Sequence, residues 1–296
     1  IRAYKYRLLS GMVLLVILQT VGVAYADYKN DLAILETSDK IVWHLKATMK
    51  SFFKKMGIKG SERKVVKVAS GKLNYPRVSL KNTVIVKSYN IVWLVAESWR
   101  ADMLTTDIMP ETFKFGEENT RFLNHYSSGN GTRMGLFGQF YGLYGFYWFD
   151  MLERQKSPVI FDVLMANNYQ KKAFTSARFS YPEFDKTLFS SFKKEELQSY
   201  SKGEGWERDR KNVTDLISFI DQATGPFFGF MFFESAHANY YFPAESVIEK
   251  DYLEDFDYLV TDIPANIKQI KQRYINASHH LDSQIERVFH YFEKTN

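Results

Sequence analysis

The run Ile91-Val92-Trp93-Leu94-Val95-Ala96, with Glu97 directly after it, is the strongest structural signal in the chain. The run is apolar throughout and is entered from polar residues 87–90, which predicts a strand buried in a parallel sheet. Ligands of open α/β sheets collect beyond the carboxyl ends of the strands. Glu97 is therefore a candidate ligand for a metal ion or a substrate. The alternative is a structural acid at the strand end, paired with Arg100.

The segment Ser127-Ser128-Gly129-Asn130-Gly131-Thr132-Arg133-Met134-Gly135-Leu136-Phe137 joins a turn of small residues to an apolar stretch typical of a helix. Thr132 lies at or near the N-cap of that helix. Free backbone N–H groups and the positive end of the helix dipole meet at such a position, and both favour an anion and a deprotonating hydroxyl. From these residues alone, Thr132 is either a helix cap or a nucleophile.

Strands and helices alternate along the chain, which predicts an α/β fold with a mainly parallel sheet and helices on both of its faces. In the last helix, Leu281, Ile285 and Val288 recur on one apolar side. The predicted strands span residues 91–96, 121–126, 171–176 and 227–233, and the predicted helices span residues 107–119, 132–146, 158–168, 212–222 and 267–293.

These segments resemble the sulfatase-like branch of the alkaline phosphatase superfamily. The resemblance rests on Asn-Ile-Val-Trp-Leu-Val-Ala-Glu-Ser-Trp-Arg, starting at Asn90, and on Ser-Gly-Asn-Gly-Thr-Arg-Met-Gly-Leu-Phe, starting at Ser128. It extends from about Leu73 to the end of the chain. The segments are most similar to membrane-anchored bacterial members, namely the lipoteichoic acid synthases and the PbgA/YejM inner-membrane proteins.

The resemblance implies roles for the site residues. Thr132 matches the nucleophile of the family, and Thr132 and Glu97 match metal ligands. Oxygen ligands suit a hard cation, so Mg²⁺ or Mn²⁺ is expected in preference to Zn²⁺. Phosphoryl transfer needs an activated hydroxyl, a cation and donors around the equatorial oxygens, and Arg133 is a candidate for such a donor.

Two further residues are candidates for substrate binding. His237 follows the apolar run 227–233 and, by the resemblance, contacts the substrate phosphate; the alternative is a histidine hydrogen-bonded to the backbone. Arg178 lies where relatives often carry a substrate-binding basic residue, and the alternative is a solvated arginine. The adjacent His279 and His280 point about 100° apart on a helix, so both are expected to be structural.

The chain departs from the pattern of its relatives in two ways. True sulfatases convert a Cys or Ser in a Cys/Ser-x-Pro-x-Arg motif to formylglycine, whereas this chain has no Cys and residues 132–136 lack the proline. Phosphoryl transfer is therefore expected in place of sulfate ester hydrolysis. Relatives also complete the metal site with an Asp-His pair after a later strand. That pair is expected beyond Asn296, so the sulfatase-like domain over 83–296 is expected to be incomplete at its C-terminal end.

Residues 1–28 are expected to hold a transmembrane helix. Residues 8–26 are uncharged and mostly apolar, close to the roughly 20 residues that cross a bilayer. Basic residues precede this stretch, so the positive-inside rule leaves the rest of the chain outside the cytoplasm. A secretory signal peptide ending at Ala24-Tyr25-Ala26 is the alternative and gives the same location. The expected location is the bacterial inner membrane, with the globular domain in the periplasm. Upstream sequence is expected because the chain does not begin with Met, and the related proteins carry several such helices, so this one is the last helix of a possible longer membrane domain.

Residues 29–82 are expected to form a basic juxtamembrane linker. A helix is predicted over 31–58, with apolar residues on one side and Lys50, Lys54 and Lys55 among the polar ones. Such a helix can lie in the membrane interface and contact anionic lipid headgroups. The alternative is a linker helix that packs on the globular domain. By the resemblance, the equivalent region of PbgA/YejM proteins is associated with lipopolysaccharide binding.

Two functions fit these features. The first is a membrane-anchored, extracytoplasmic, metal-dependent phosphotransferase or phosphohydrolase that acts on phosphorylated lipid or glycan headgroups of the envelope through a phosphorylated Thr132. The second is a lipid-binding sensor or regulator with little catalysis on the same fold. The expected partners are membrane lipids and the phosphorylated substrate, and not nucleic acid, because the net charge is only +5 and no nucleic-acid module is visible.

Overall fold

The computed structural model divides the chain into two compact units, Ile1–Lys72 and Leu73–Asn296. Most of the helix predicted over 31–58 lies outside the residues that the structure describes, and the predicted subdivision at residues 28 and 82 stays a prediction. The described residues are 2–29, 34, 49–59, 74–256 and 261–295.

The first unit contains helix α1 (Arg2–Lys29) and the short helix α2 (Lys50–Lys55). Ser10–Lys29 is long and apolar enough to cross a membrane, and it is the one such stretch in the described residues. Only 17% of the 18 most apolar consecutive residues in this stretch are buried, whereas the core helix of a soluble protein is mostly buried. These properties agree with the predicted membrane helix.

Helix α2 packs on α1 through the buried ring of Phe53. The centre of this ring lies 5.6 Å from that of Tyr25 and 5.5 Å from that of Tyr28. Lys54 and Lys55, two of the three predicted lipid contacts, are exposed. The side chain of the third, Lys50, lies outside the described part of the structure.

The second unit is built on a parallel sheet. Within the described residues its strands are β1 (Ile91–Ala96), β2 (Gln170–Thr175), β3 (Leu197–Ser199) and β4 (Phe227–Phe233), in the order β1-β4-β2-β3. The register pairs Ala96 with Phe233 and Thr175 with Phe232. The carboxyl ends of β1, β4 and β2 therefore meet at one edge of the sheet. The predicted parallel sheet is confirmed, and β1 and β4 have the predicted bounds.

Helices cover both faces of this sheet, as predicted. Among the described residues they are α3 (Pro110–Glu118), α4 (Thr132–Tyr141), α5 (Trp148–Arg154), α6 (Val159–Ala166), α7 (Gly205–Asp221) and α8 (Ile263–Thr295).

Alternate side chains of β4 enter two separate cores. Phe228, Phe230 and Phe232 pack with α4, α5 and α6 on the side that we term the aromatic face. Phe227, Met231 and Phe233 pack with α7 and α8 on the side that we term the anchored face. Gly229 also faces α7, and a Cβ there would lie only 2.9 Å from Cδ1 of Leu216. The absence of a side chain at this position thus lets α7 pack close to the centre of the sheet.

The helix predicted over 132–146 is too long. Helix α4 ends at Tyr141, because Gly142 adopts the left-handed conformation (φ 64°) and its N–H donates to the carbonyl oxygen of Gly138. A glycine in this conformation is a common way to end a helix. A separate 3-10 turn, Gly145–Tyr147, then leads directly into α5.

The strand predicted over 121–126 is wrong. The described residues 119–131 contain neither helix nor strand. The large apolar side chains of this segment, Phe122, Leu123 and Tyr126, are 77%, 79% and 82% exposed. A strand needs a neighbour to pair with its backbone, and the sheet does not extend to this segment.

The remaining predicted elements are present with shifted ends. Helix α7 begins at Gly205 in place of residue 212, because Glu204 and Glu207 form a capping box before it. The strand Leu197–Ser199 was not predicted, since three residues are too few to show an alternating pattern.

Candidate active site

Glu97 and Thr132 lie side by side at the carboxyl edge of the sheet. Glu97 follows β1, and its N–H donates to the carbonyl oxygen of Phe233 at 3.1 Å. Thr132 is the first residue of α4, and its hydroxyl donates to Oε1 of Glu97 at 2.9 Å. The two residues are 35 positions apart in sequence. The fold thus brings together the two side chains singled out as nucleophile and metal ligand.

The hydroxyl of Thr132 does not cap its helix. The N-cap of α4 is Gly131, and no side chain makes a capping hydrogen bond there. The first N–H groups of an α-helix have no acceptor within the helix. The start of α4 therefore presents backbone donors beside a hydroxyl whose own hydrogen bond is directed at a carboxylate.

Small residues allow the preceding turn to pack onto the first turn of α4. The Ser128 hydroxyl donates to the carbonyl oxygen of Met134 at 2.6 Å. A Cβ at Gly129 would collide with the side chain of Met134. Glycine is therefore required at this position for the turn to approach the helix as closely as it does.

Arg100 forms an ion pair with a residue other than Glu97. Its Nε and Nη2 donate to the carboxylate of Asp102 at 2.8 and 2.9 Å. Both side chains are largely exposed. The alternative prediction, in which Glu97 pairs with Arg100, is not observed, so the carboxylate of Glu97 remains directed towards Thr132.

Arg133 lies next to Thr132 but holds an ion pair of its own. Its Nε and Nη2 donate to the carboxylate of Glu183 at 3.1 and 2.8 Å. The guanidinium also lies 5.2 Å from the ring centre of Tyr181 and 5.9 Å from that of Trp148. Arg133 can bind a substrate anion only if it shares or leaves Glu183.

Arg178 lines a cavity of about 450 Å³ beyond the ends of β2, β3 and β4. Arg208, also in this lining, donates to the carbonyl oxygens of Ser176 and Gly203 and to the carboxylate of Glu234. Arg178 is exposed and has no ionic partner among the described residues. It is therefore the cation of this cavity that is available to a ligand.

His237 lines a second cavity, of about 240 Å³, together with Ser98, Arg100 and Tyr274. The backbone N–H of His237 donates to the carbonyl oxygen of Glu234 at 2.9 Å, which fixes the loop after β4. Ser98 directly follows Glu97. The cavity therefore adjoins the turn that carries the candidate metal ligand.

Asp209 of α7 anchors the end of β4, a role that the sequence analysis missed. It is fully buried and accepts hydrogen bonds from the N–H groups of Glu234 and Ser235, at 3.0 and 2.8 Å, and from the Ser235 hydroxyl. Burial raises the pKa of Asp209 to about 6. Nothing local distinguishes this residue in the sequence, because an acid in an amphipathic helix is ordinarily solvated.

The two adjacent histidines of α8 contact different partners. Nδ1 of His279 lies 2.8 Å from the carbonyl oxygen of Ile108, and Nδ1 of His280 lies 3.3 Å from the hydroxyl of Ser246. Burial lowers the pKa of His280 to about 4. The two rings share no site, which agrees with the structural role expected of them.

A divalent cation would find two oxygen donors at this edge, from Glu97 and Thr132. These hard oxygens suit Mg²⁺ or Mn²⁺. Nowhere in the described ranges do three or more His, Cys, Asp or Glu side chains group closely enough to hold a metal ion. The described residues thus fit part of a cation site.

Comparison with protein families matches residues 89–296 to the sulfatase family. An uncharacterised protein of Haemophilus influenzae is 30% identical over 190 residues, which cover 62% of this chain and 32% of that protein. The inner membrane protein YejM of Salmonella typhimurium is 27% identical over 183 residues, which cover 61% of this chain and 26% of YejM. The chain therefore spans about a third or less of the length of these relatives.

A solved structure is similar in fold to most of this chain. It is the C-terminal periplasmic domain of the phosphoethanolamine transferase EptC from Campylobacter jejuni, with a TM-score of 0.53 and 14% identity. The match covers 70% of this chain and 64% of that domain, so the two share a fold. The apolar N-terminal helix and the inner-membrane relative place this chain in the inner membrane, with its globular domain in the periplasm. Because the family match covers most of its length, the chain belongs to the sulfatase family.

Proposed function

We propose that this chain is the catalytic part of a periplasmic, membrane-anchored phosphotransferase or phosphohydrolase that uses Thr132 as its nucleophile. One observation carries the proposal: the Thr132 hydroxyl, at the start of α4, donates to the Glu97 carboxylate at 2.9 Å. A hydroxyl beside a carboxylate and a helix N-terminus combines a nucleophile, a proton acceptor and anion-binding donors. The expected substrates are phosphorylated lipid or glycan headgroups of the envelope.

The chemistry of this pair is a double displacement at phosphorus. The Thr132 oxygen forms a bond to phosphorus while the bond from phosphorus to the leaving oxygen breaks. The hydroxyl proton of Thr132 passes to Glu97, and the leaving oxygen takes up a proton from solvent. The backbone N–H groups of the first turn of α4 donate to the phosphoryl oxygens, where negative charge develops. Water or an acceptor hydroxyl then attacks this phosphorus and loses its proton to solvent, the bond from phosphorus to the Thr132 oxygen breaks, and Glu97 returns its proton to Thr132. Attack by water makes the protein a hydrolase, and attack by an acceptor hydroxyl makes it a transferase.

A divalent metal is the expected cofactor, as is general in this superfamily. Glu97 and Thr132 would hold it, and their oxygens favour Mg²⁺ or Mn²⁺ over Zn²⁺. When bound, such an ion lowers the pKa of a coordinated hydroxyl and neutralises phosphoryl charge.

Three basic residues around the pair are the proposed substrate contacts. Arg178 and His237 line two cavities that both include residues of the loop after β4. Arg133 adds a cation on α4, which forms an ion pair with Glu183. Anionic headgroups with more than one phosphate, or with a phosphate and a sugar, offer groups for more than one of these contacts.

The test is turnover of a chromogenic phosphodiester by the full-length protein in detergent with Mn²⁺ or Mg²⁺. Thr132→Ala is expected to abolish turnover, and Thr132→Ser to retain part of it, because only the second keeps the hydroxyl. Mass spectrometry is expected to find phosphate on Thr132 in the enzyme quenched during turnover. Thr214→Ala, on the exposed side of α7, is the matched control and is expected to be fully active. Equal turnover by Thr132→Ala and the unchanged protein contradicts the proposal.

A lipid-binding sensor is the second candidate, and exposed residues of α2 favour it. Lys54 and Lys55 lie exposed beside the exposed apolar side chains of Phe52 and Met56. Basic and apolar groups together suit a membrane interface with anionic headgroups such as those of lipopolysaccharide. Binding of lipopolysaccharide that is weakened by the double variant Lys54→Glu/Lys55→Glu, with no phosphodiester turnover in any form, would favour the sensor.

A further inference from the structure

The turn after Glu97 has a backbone conformation that its own sequence disfavours. Ser98 has φ of 55°, in the left-handed region where residues other than glycine are uncommon. Such a residue stays in this conformation only where its surroundings hold it, and such residues cluster at functional sites. Ser98 is exposed, so the packing of its own side chain does not supply the restraint.

The restraint comes from the hydroxyl of Tyr274, on the distant helix α8. This hydroxyl donates to the carbonyl oxygen of Ser98 at 2.8 Å and accepts a hydrogen bond from the N–H of Arg100 at 2.9 Å. One phenol therefore bridges the two sides of the turn. These partners are 176 and 174 positions away in sequence.

Tyr274 is itself held rigidly. Its side chain is 7% exposed in the core of the anchored face, and its ring packs edge-on against Tyr240 at 5.1 Å. Burial also raises the pKa of the phenol, which keeps the hydroxyl protonated as a donor. The bridge is thus fastened to the core of the domain.

Glu97 lies between two fixed points. On one side its N–H is bonded to Phe233 of the central strand, and on the other the chain enters the bridged turn. We propose that Tyr274 is a positioning residue, whose hydroxyl holds the Ser98 turn so that the Glu97 carboxylate meets the Thr132 hydroxyl. The kinetic part of this inference rests on the proposed function of that pair.

The kinetic test is Tyr274→Phe in the full-length protein, which keeps the ring and removes both hydrogen bonds. The turnover number kcat for the phosphodiester is expected to fall about 10-fold to 100-fold. Losses of this size are typical when a residue that orients a metal ligand through hydrogen bonds is removed. KM is expected to change by less than about twofold, because the hydroxyl that is removed bonds to the backbone of Ser98 and Arg100, while the ring that lines the cavity stays. Tyr291→Phe, on the same helix with its hydroxyl on Asp221, is the matched control and is expected to leave kcat unchanged.

Substitutions of Ser98 test whether the Tyr274 hydroxyl acts by holding the backbone of this turn. Ser98→Gly tolerates positive φ and is expected to restore part of the kcat lost in Tyr274→Phe. Ser98→Val opposes the left-handed backbone and is expected to lower kcat with Tyr274 intact. Loss of kcat in Tyr274→Phe with no rescue by Ser98→Gly would overturn the positioning role in favour of a general loss of core structure.

A crystal structure of Tyr274→Phe tests the inference without any activity. The distance between Thr132 Oγ1 and Glu97 Oε1 is expected to exceed hydrogen-bonding range, and an unchanged contact near 2.9 Å overturns the inference. Unchanged kcat in Tyr274→Phe, when Thr132→Ala is inactive, overturns it as well. Full turnover by Thr132→Ala instead removes the proposed function, and the distance alone then decides the role of Tyr274.

Discussion

The two faces of the sheet are held together by different physical means. On the aromatic face the ring of Phe140 packs against Trp93 at 4.5 Å, Phe230 at 5.4 Å and Phe189 at 5.5 Å. On the anchored face the helices bury polar side chains among aliphatic ones. These are Asp209 and Asn212 of α7 and Arg273, Asn276, Ser278, His280, Asp282 and Gln284 of α8.

Several of the polar residues on the anchored face bond to backbone outside their own helix. Asp209 holds Glu234 and Ser235, and Asn276 accepts from the N–H groups of Ile248 and Glu249 at 3.0 and 2.8 Å. Hydrophobic burial is non-directional, whereas a hydrogen bond fixes an orientation. The aromatic face thus supports α4, which carries the proposed nucleophile, while the anchored face fixes the loops around it.

Removal of a ring from the aromatic face is expected to have the largest effect. Phe140→Ala leaves a cavity at the centre of the ring cluster and is expected to lower the free energy of unfolding by about 3–5 kcal/mol. The measurement is chemical unfolding of the full chain in detergent, followed by near-ultraviolet circular dichroism. Phe140→Leu keeps most of the volume and is expected to lose less than half as much. A loss below about 1 kcal/mol for the alanine variant would show that the cluster does not support α4.

His280 on the anchored face is expected to destabilise the protein in acid. Its pKa is lowered from 6.5 to about 4 by burial and, to a smaller extent, by the charge of Arg210. The folded state therefore favours the neutral ring. The contribution of His280 to the free energy of unfolding is present above about pH 6.5 and is lost as the pH falls towards 4. By linkage the loss is on the order of 3 kcal/mol. His280→Gln is expected to remove this pH dependence, and unfolding curves for both proteins that stay parallel across this range would contradict it.

Asp209 is expected to act in the opposite direction over an overlapping range. Its pKa is raised from 3.8 to about 6 by burial, so the folded state favours the protonated acid. Its contribution to stability is largest below about pH 4 and is lost as pH rises towards 6, by on the order of 2–3 kcal/mol. Asp209→Asn is expected to remove this pH-dependent loss. It is also expected to lower the free energy of unfolding by an amount that does not vary with pH, because its hydrogen bonds are disturbed.

The variants Asp209→Asn and His280→Gln serve as controls for each other, because each removes one of the two opposing pH effects on stability. In the unchanged protein they partly cancel between pH 4 and 6, so each single variant is expected to reveal the other group. Stability that rises with pH in Asp209→Asn and falls with pH in His280→Gln is the expected pair of results. The same slope in both variants would show that other groups dominate.

Asp282 is expected to have the smallest of these effects. Its carboxylate accepts from the N–H groups of Thr112 and Glu111, at 2.8 and 3.1 Å, in the first turn of α3. Asp282→Ala removes this interaction and is expected to lower the free energy of unfolding by about 1–2 kcal/mol. Ser283→Ala, one residue on, is the control and is expected to cost less. Amide hydrogen exchange that is no faster at Glu111 and Thr112 in Asp282→Ala would contradict the anchoring role.

The local sequence carried enough information to identify Glu97 and Thr132 as candidate site residues. Glu97 ends an apolar run, and Thr132 follows a turn of small residues; both signals are contained in a few neighbouring positions. The same kind of signal failed at residues 121–126, because apolar side chains indicate burial only if a neighbouring strand exists to cover them. It also failed at Gly142, which resembles Gly135 and Gly138 in sequence but alone ends the helix.

Tyr274 and Asp209 show what no local pattern contains. Each lies in a helix whose apolar periodicity predicts the helix but says nothing about a polar partner on a different element. Their bonds depend on how α7 and α8 pack against the sheet.

The sequence by itself determined the parallel α/β architecture, the membrane-length apolar segment and the candidate status of Glu97 and Thr132. These follow from hydrophobic periodicity and turn chemistry, which act over a few residues. Only the tertiary structure decided that the two side chains touch, that Arg133 is held by Glu183, and that a phenol from the last helix braces the turn after Glu97. Contacts between residues far apart in the chain depend on the packing of whole elements, which local preferences do not specify.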